Sequence, residues 1–292
     1  MGMFAPMRAI DVRHMGRERV TGCWEVDGVL IDPGPQVSVQ AVTDAFDGRV
    51  PEAILLTHIH LDHAGATGSL VRRWGDVPVF VHERGAPHLL DPSRLLASAS
   101  RIYPDMDERW GRPEPVPEAS VRRVADGDTV LDGFRVAYTP GHASHHVSYL
   151  HEPSGWAFVG DVAGVRIAPS DYTLMPTPPP DIDVETWMES LAAIEAWRPE
   201  GLALTHFGAH DDVGGVLAAA REELQRWACE ARDAPDGDAF LARFDADIDA
   251  RVEGEALRAT YRQASPPPLE YLGLERYWSK RPDRRPSGPQ PG

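Results

Sequence analysis

The stretch Thr57-His58-Ile59-His60-Leu61-Asp62-His63 constrains this chain more than any other. It concentrates metal-capable side chains directly after the apolar run Ala53-Ile54-Leu55-Leu56. That run is too short for a helix and is bounded upstream by Pro51, so it reads as a buried parallel strand. The polar cluster then sits where such a strand ends, the place where open α/β sheets bind ligands. In extended backbone, residues two apart point the same way, so His58 and His60 can grip one ion. As the chain turns, Asp62 and His63 can face a neighbouring position. Imidazole with carboxylate suits zinc, iron or manganese. Single histidines are commonly structural, but three of them with an aspartate at this spacing point to metal.

A metal cluster needs a body to hold it, and composition supplies one. The 292 residues allow one large domain or one domain with an appendage, and a hydrophobic content of 42% supports a packed core. The net charge of −16, from 45 acidic and 29 basic residues, repels phosphate backbones and argues against a nucleic-acid partner. An anionic substrate would need a local basic patch or the metals themselves. Cys23 and Cys229 lie far apart in unrelated contexts, so neither a disulfide framework nor a cysteine metal knuckle is expected. The segment Met1 to Arg8 lacks the basic start and apolar core of a signal peptide, and Pro6 stands where a myristoylation signal wants Ser or Thr. No apolar run approaches membrane-spanning length. A cytoplasmic protein without membrane attachment is the expectation.

In chain order, strands are predicted at 7–12, 19–26 and 29–31, the last ending in Asp32-Pro33-Gly34-Pro35. Taken alone, Asp32 is a turn aspartate. A helix is expected over 37–47, then the motif strand, a helix over 65–74 and a strand over 77–81. This alternation of strand and helix is the signature of a layered architecture. Residues 84–120 break the rhythm: a helix capped by Asp91, with Pro92 at its first position, is followed by Tyr103-Pro104, Trp110-Gly111 and a proline-rich run. Such a segment suits a lid, and His88, Tyr103, Met106 and Trp110 give it an aromatic, apolar character for covering a substrate or packing onto the body. Strands return at 121–124, 129–131, 134–138, 146–150 and 156–159. An amphipathic helix spans 183–197, and a last strand covers 201–204. Residues 212–263 carry the pattern of about two long helices, 264–279 are expected to pack back on the body, and the tail from 281 to 292 reads as disordered.

Five predicted strands thus end at or near a potential ligand: Asp32, the 58–63 cluster, His142, Asp161 and His206. This layout resembles the metallo-β-lactamase superfamily over roughly residues 7–210, and the HxHxDH stretch carries the resemblance most specifically. The resemblance implies an α+β fold, the αββα four-layer sandwich, with residues 1–210 as the catalytic domain and 211–280 as a C-terminal helical extension. It also implies that His58, His60 and His142 hold one divalent ion and that Asp62, His63 and His206 hold a second. Asp161 would bridge both, and Asp32 would support the ligands from behind. Zinc is the first candidate, with iron or manganese as alternatives. Two such ions, about 3.5–4 Å apart, would share a hydroxide that attacks a carbonyl, and Asp62 would help orient it.

Within that superfamily, His63 and the absence of a ligating cysteine bring the chain nearer to the glyoxalase II-like branch than to the true β-lactamases. Ala64-Gly65-Ala66-Thr67-Gly68 departs from the double glycine that often follows the motif in glyoxalase II, and the C-terminal helices lack an evident site for a glutathione tail. Lactonases of the superfamily often use a tyrosine beside the metals, for which Tyr103, Tyr149 and Tyr172 are candidates. His145 and His146 are expected to support ligands rather than to ligate, while His82, His88, His151 and His210 have no motif behind them. The expected activity is hydrolysis of a thioester, ester or lactone in a small-molecule substrate, with the C-terminal helices offering a surface for a homodimer. Two rivals remain: a mononuclear iron dioxygenase acting on a persulfide, and a non-catalytic metal-binding module.

Overall fold

The computed structural model describes residues 7–102 and 105–281. The readings made on Met1 to Pro6, Tyr103-Pro104 and 282–292 lie outside the described residues. The first half of the chain builds a six-stranded mixed sheet. Its elements are β1 (Arg8–Asp11), β2 (Gly22–Val26), β3 (Val29–Ile31), α1 (Val39–Phe46), β4 (Ala53–Leu55), α2 (Leu61–Ala64), α3 (Thr67–Trp74), β5 (Val79–His82), α4 (Ala86–Leu90), α5 (Ser93–Ile102), α6 (Met106–Arg109) and β6 (Val121–Val124). The strands lie in chain order, antiparallel from β1 to β3 and parallel from β3 to β6.

The second half repeats the plan. It comprises β7 (Thr129–Val130), β8 (Phe134–Tyr138), β9 (Val147–His151), β10 (Trp156–Gly160), α7 (Val184–Ala196), β11 (Gly201–Leu204) and β12 (Gly208–His210), in the order β12-β11-β10-β9-β8-β7. Only β10 and β11 pair in parallel, because α7 carries the chain back across the sheet between them. Four helices close the chain: α8 (Val213–Asp233), α9 (Gly237–Arg251), α10 (Glu255–Ala264) and α11 (Pro267–Ser279).

The layering follows from the two-residue period of the strands. Val29, Ile31, Ala53 and Leu55 face the second sheet and pack with Phe134, Val136, Tyr149 and Phe158. Leu30, Ile54 and Leu56 point the other way, onto Val42 and Phe46 of α1 and Leu70 of α3. The outer face of the second sheet, through Ala157, Val159, Leu202 and Leu204, meets Trp187, Leu191 and Ile194 of α7. Each such large side chain contributes about 1.5–3 kcal/mol of burial. The result is the expected four-layer order of helix, sheet, sheet, helix.

Three local expectations need correction. The 84–120 segment holds three helices, not one; α4 went unread because Pro87 looks like a breaker, yet it occupies the first turn, where proline is tolerated. The 212–263 region contains three helices, since the chain breaks after Arg251 and restarts at Glu255, and 267–279 forms a fourth. Arg281, read as the start of the tail, donates to Asp183 at 2.6 Å and lies over the Tyr277 ring. The C-terminal helices also share one continuous core with the second sheet: Leu217, Trp227, Phe240, Phe244, Tyr261 and Trp278 join the cluster of Trp187 and Leu204.

Candidate metal centre

Every donor picked out in the sequence comes from a turn or a short helix at one edge of the sandwich. The motif begins two residues after β4, and His60 directly precedes the short helix α2, which carries Asp62 and His63. His142 follows β8, Asp161 follows β10 and His206 follows β11. Two groups result. His58, His60, His142 and Asp161 bring one ligand atom each within 4.8 Å of one another, and so do Asp62, His63 and His206. The carboxylate of Asp161 stands between the groups. Its Oδ2 lies 3.3 Å from His142 Nε2 and 3.9 Å from His58 Nε2, while its Oδ1 lies 3.2 Å from His63 Nε2 and 3.5 Å from His206 Nε2. His206 Nε2 is also 3.3 Å from Asp62 Oδ2.

The far side of most rings is anchored, which settles which nitrogen faces inward. His142 Nδ1 donates to the Pro176 carbonyl at 2.9 Å, and His206 Nδ1 donates to the Val20 carbonyl at 2.5 Å. His63 Nδ1 donates to Asp32 Oδ2 at 2.9 Å. Asp32 is the hub behind the site. Its carboxylate also accepts from Thr57 N at 2.8 Å, Thr57 Oγ1 at 2.6 Å and Thr205 Oγ1 at 3.2 Å. It adopts φ of 48°, a left-handed conformation that aspartate tolerates better than most residues and that these bonds hold in place.

Of the histidine pair after His142, His146 is the more firmly tied to the ligands. Its Nδ1 meets Thr139 Oγ1 at 2.9 Å, its Nε2 accepts from Asp161 N at 3.4 Å, and its ring stacks on His58. His145 lines the cavity above the donors, and its Nδ1 accepts from Ile59 N at 3.4 Å. Gly160 must be glycine here: at φ of 49°, a Cβ would stand 2.5 Å from Thr57 Oγ1 and 2.7 Å from His146 Nε2.

The electrostatics are those of a cation site. Burial raises the Asp161 pKa, but His63, His206 and His142 outweigh it and hold the carboxyl well below its ordinary range. Asp62 is likewise held low: His63 and His206 overcome its burial. Burial works against protonated His63, yet Asp161, Asp62 and Asp32 raise it well above the usual imidazole value. His58 is driven well down by burial and by its imidazole neighbours, and His60 falls to about 4 by burial and His142. The donor set fits divalent ions. Buried His58 Nε2 has no hydrogen-bond partner, and His63 Nε2 and Asp161 Oδ1 face each other at 3.2 Å without hydrogen-bond geometry, although buried polar atoms are normally paired.

A cavity of about 420 Å³ opens onto the site. His60, Asp62 and Asp161 line its floor; Ile59, Leu61, Leu95, Ala99, Trp110 and Leu269 give it an apolar wall. Arg84 and Arg94 also line it. Trp110, from the 84–120 segment, lines the cavity and packs onto the body: it stacks at 4.6 Å on His14, whose Nε2 meets the Arg109 carbonyl. Neither of the two candidate tyrosines among the described residues is placed beside the donors. Tyr149 is buried between the sheets and donates to the Leu56 carbonyl, Tyr172 donates to Asp247 beneath the C-terminal helices, and Tyr103 lies outside the described residues.

Sequence reasoning missed Thr57 and Thr205, which fasten Asp32, and the Pro176 carbonyl behind His142. Thr57 could have been suspected from its place at the head of the motif. A backbone carbonyl far along the chain leaves no signal.

Two mixed sheets with a seven-residue donor cluster at their shared edge define a class of metal-binding proteins. The chain belongs to the metallo-beta-lactamase superfamily, whose family model matches residues 25–206, more than half its length. It is 31% identical over 193 residues to the metallo-beta-lactamase fold-containing protein ST1585 of Sulfurisphaera tokodaii, covering 64% of this chain and 70% of that one. The solved structure of ST1585 superposes with a TM-score of 0.68 at 23% identity, over 92% of this chain and 98% of the other, a likeness of fold. The probable metallo-hydrolase YflN of Bacillus subtilis is 28% identical over 201 residues, 61% of this chain and 74% of that one. A hydroxyacylglutathione hydrolase of Hamiltonella defensa is 30% identical over 137 residues, 46% of this chain and only 41% of the relative. Among the described residues no helix is long and apolar enough to cross a membrane, and Cys23 and Cys229 are unpaired.

Proposed function

We propose that this protein is a metal-dependent hydrolase that cleaves the carbonyl of a thioester, ester or lactone in a small-molecule substrate. The single observation that carries the reading is Asp161, whose two carboxylate oxygens each face a different donor group. His58, His60 and His142 would hold one divalent ion, and Asp62, His63 and His206 the other, with Asp161 shared. Zinc is the first candidate on ligand chemistry, and iron and manganese suit the same donors. When bound, such a pair supplies a nucleophile at neutral pH and a Lewis acid for oxyanion charge.

The chain's own residues do the rest. Asp62, ionised and half-buried on the cavity floor, would orient an attacking oxygen. Leu61, Leu95, Ala99 and Trp110 form a dry wall suited to an apolar acyl group. The names of YflN and the Hamiltonella protein support a hydrolase. A glutathione substrate has weaker support, because the match to the latter spans less than half of either chain. The complete second donor group favours this reading over a mononuclear dioxygenase.

The test is metal content per chain by elemental analysis on protein purified without chelator, followed by a screen of thioesters, lactones and phosphodiesters. Two equivalents with carbonyl hydrolysis is the expected result. One equivalent of iron without hydrolysis would overturn the proposal in favour of the dioxygenase, and a failure to take up any metal would end it.

A further inference from the structure

One buried acid sits outside the donor groups and is used by nothing in the mechanism above. Glu270, in the first turns of α11, is only 1% exposed. Its Oε2 accepts from Thr177 N at 2.5 Å and from Thr177 Oγ1 at 2.7 Å, and its Oε1 accepts from Ser265 Oγ. All three partners are neutral donors. Burial accordingly pushes the carboxyl up to about 7, although these bonds pull the other way.

The bond to Thr177 N reaches further than it first suggests. That N–H and the Pro176 carbonyl belong to one peptide unit, which is planar, with the two groups pointing in opposite directions when trans. The Pro176–Thr177 bond is not among the cis bonds of the chain. A carboxylate that fixes the N–H on one side therefore aims the carbonyl on the other, and that carbonyl receives His142 Nδ1 at 2.9 Å. Hydrogen bonds in series also polarise one another, so Glu270 in its carboxylate form makes the carbonyl a stronger acceptor and His142 a better ligand. The order is carboxylate, peptide, imidazole, donor group, a carboxylate–histidine pair with one peptide between them.

The helix is pressed onto this segment by more than one side chain. Three residues on, a Cβ at Gly273 would lie 1.7 Å from the Thr177 carbonyl oxygen, so only glycine allows the approach. Arg276 Nε then donates to the Pro180 carbonyl at 3.1 Å. Apolar packing alone would hold a helix against a loop without burying a charge. What the carboxylate adds is a direction for one peptide.

We infer that Glu270 is a positioning residue of the metal centre, acting through the Pro176–Thr177 peptide to orient His142, so that α11 takes part in building the site. The inference rests on the reading of the donor groups as metal ligands. The experiment compares the full-length parent protein with E270A, E270Q and L274A. Leu274 is buried on the same helix in the core and serves as a control for lost packing. Affinities for two equivalents of cobalt are measured by chelator competition, together with the visible spectrum of the cobalt-loaded protein and thermal melting of the metal-free form.

In E270A one of the two ions should bind about 10–100-fold more weakly and show an altered spectrum, while the other is little changed. E270Q, which keeps an acceptor for Thr177 N but no charge, should fall between E270A and the parent. L274A should melt earlier yet bind both ions as the parent does. Parent-like affinities and spectra in both Glu270 variants would overturn the inference, as would an equal loss of affinity in L274A. A parent that binds no cobalt would instead overturn the metal reading itself, and this inference with it.

Discussion

The floor of the cavity and its wall are held by different forces. On the floor, donors from both sheets are aimed by hydrogen bonds to Asp32, the Pro176 carbonyl and the Val20 carbonyl. On the wall, Leu61, Ala99, Met106 and Trp110 form a small apolar cluster shaped by packing. Directional bonds set positions to a few tenths of an ångström, whereas packing sets volume and tolerates exchange. If the protein is the hydrolase proposed, the floor should govern whether any chemistry occurs, and the wall which substrate receives it.

Substitutions should separate the two. The largest effect is expected for Asp161→Ala, which removes the carboxylate facing both donor groups: hydrolysis should fall to background, with fewer than two metal equivalents by elemental analysis. A variant retaining two ions and most of its kcat/KM would break the distinction at its strongest point. Asp32→Asn comes next. An amide cannot accept from Thr57, Thr205 and His63 together, so metal affinity or activity should drop about 10–100-fold. The unmet buried partners should lower stability by about 1–3 kcal/mol in a denaturant melt. Unchanged affinity would show that the rings hold their own orientation. The smallest effect belongs to the wall. Trp110→Ala should keep full metal content yet lower kcat/KM about tenfold for long apolar acyl substrates relative to short ones. An equal change for every substrate would mean that Trp110 does not read the acyl chain.

The same contrast explains what could be read from the sequence. All seven donors lie in local patterns, a strand followed by a turn with a ligand, and these survive translation into space because a strand end is a local event. The sheet alternation of Val29 to Ile31 and of Ala53 to Leu56 was legible for the same reason. The wall was legible only in part: the apolar character of the 84–120 segment and its Trp110 could be read, but Leu95, Trp110 and Leu269 come to line one cavity only after the whole chain is folded. Tyr149 failed similarly: it looks reactive on paper, but the strand period sends it between the sheets. Helix count in the C-terminal region was lost because apolar spacing continues across the break between Arg251 and Glu255. Glu270 gave no sign at all, as a glutamate in a helix is ordinarily a surface residue.

Each donor group draws on both sheets: His58 and His60 with His142 and Asp161, and Asp62 and His63 with His206. An ion bound in either group is thus a clasp across the sandwich, joining layers that otherwise meet through side-chain packing and a few hydrogen bonds. Peeling one sheet from the other would have to break coordination before the apolar layer could open. Metal loading should then act chiefly on the rate of unfolding, making the loaded protein long-lived under heat or denaturant beyond what its equilibrium stability alone would suggest.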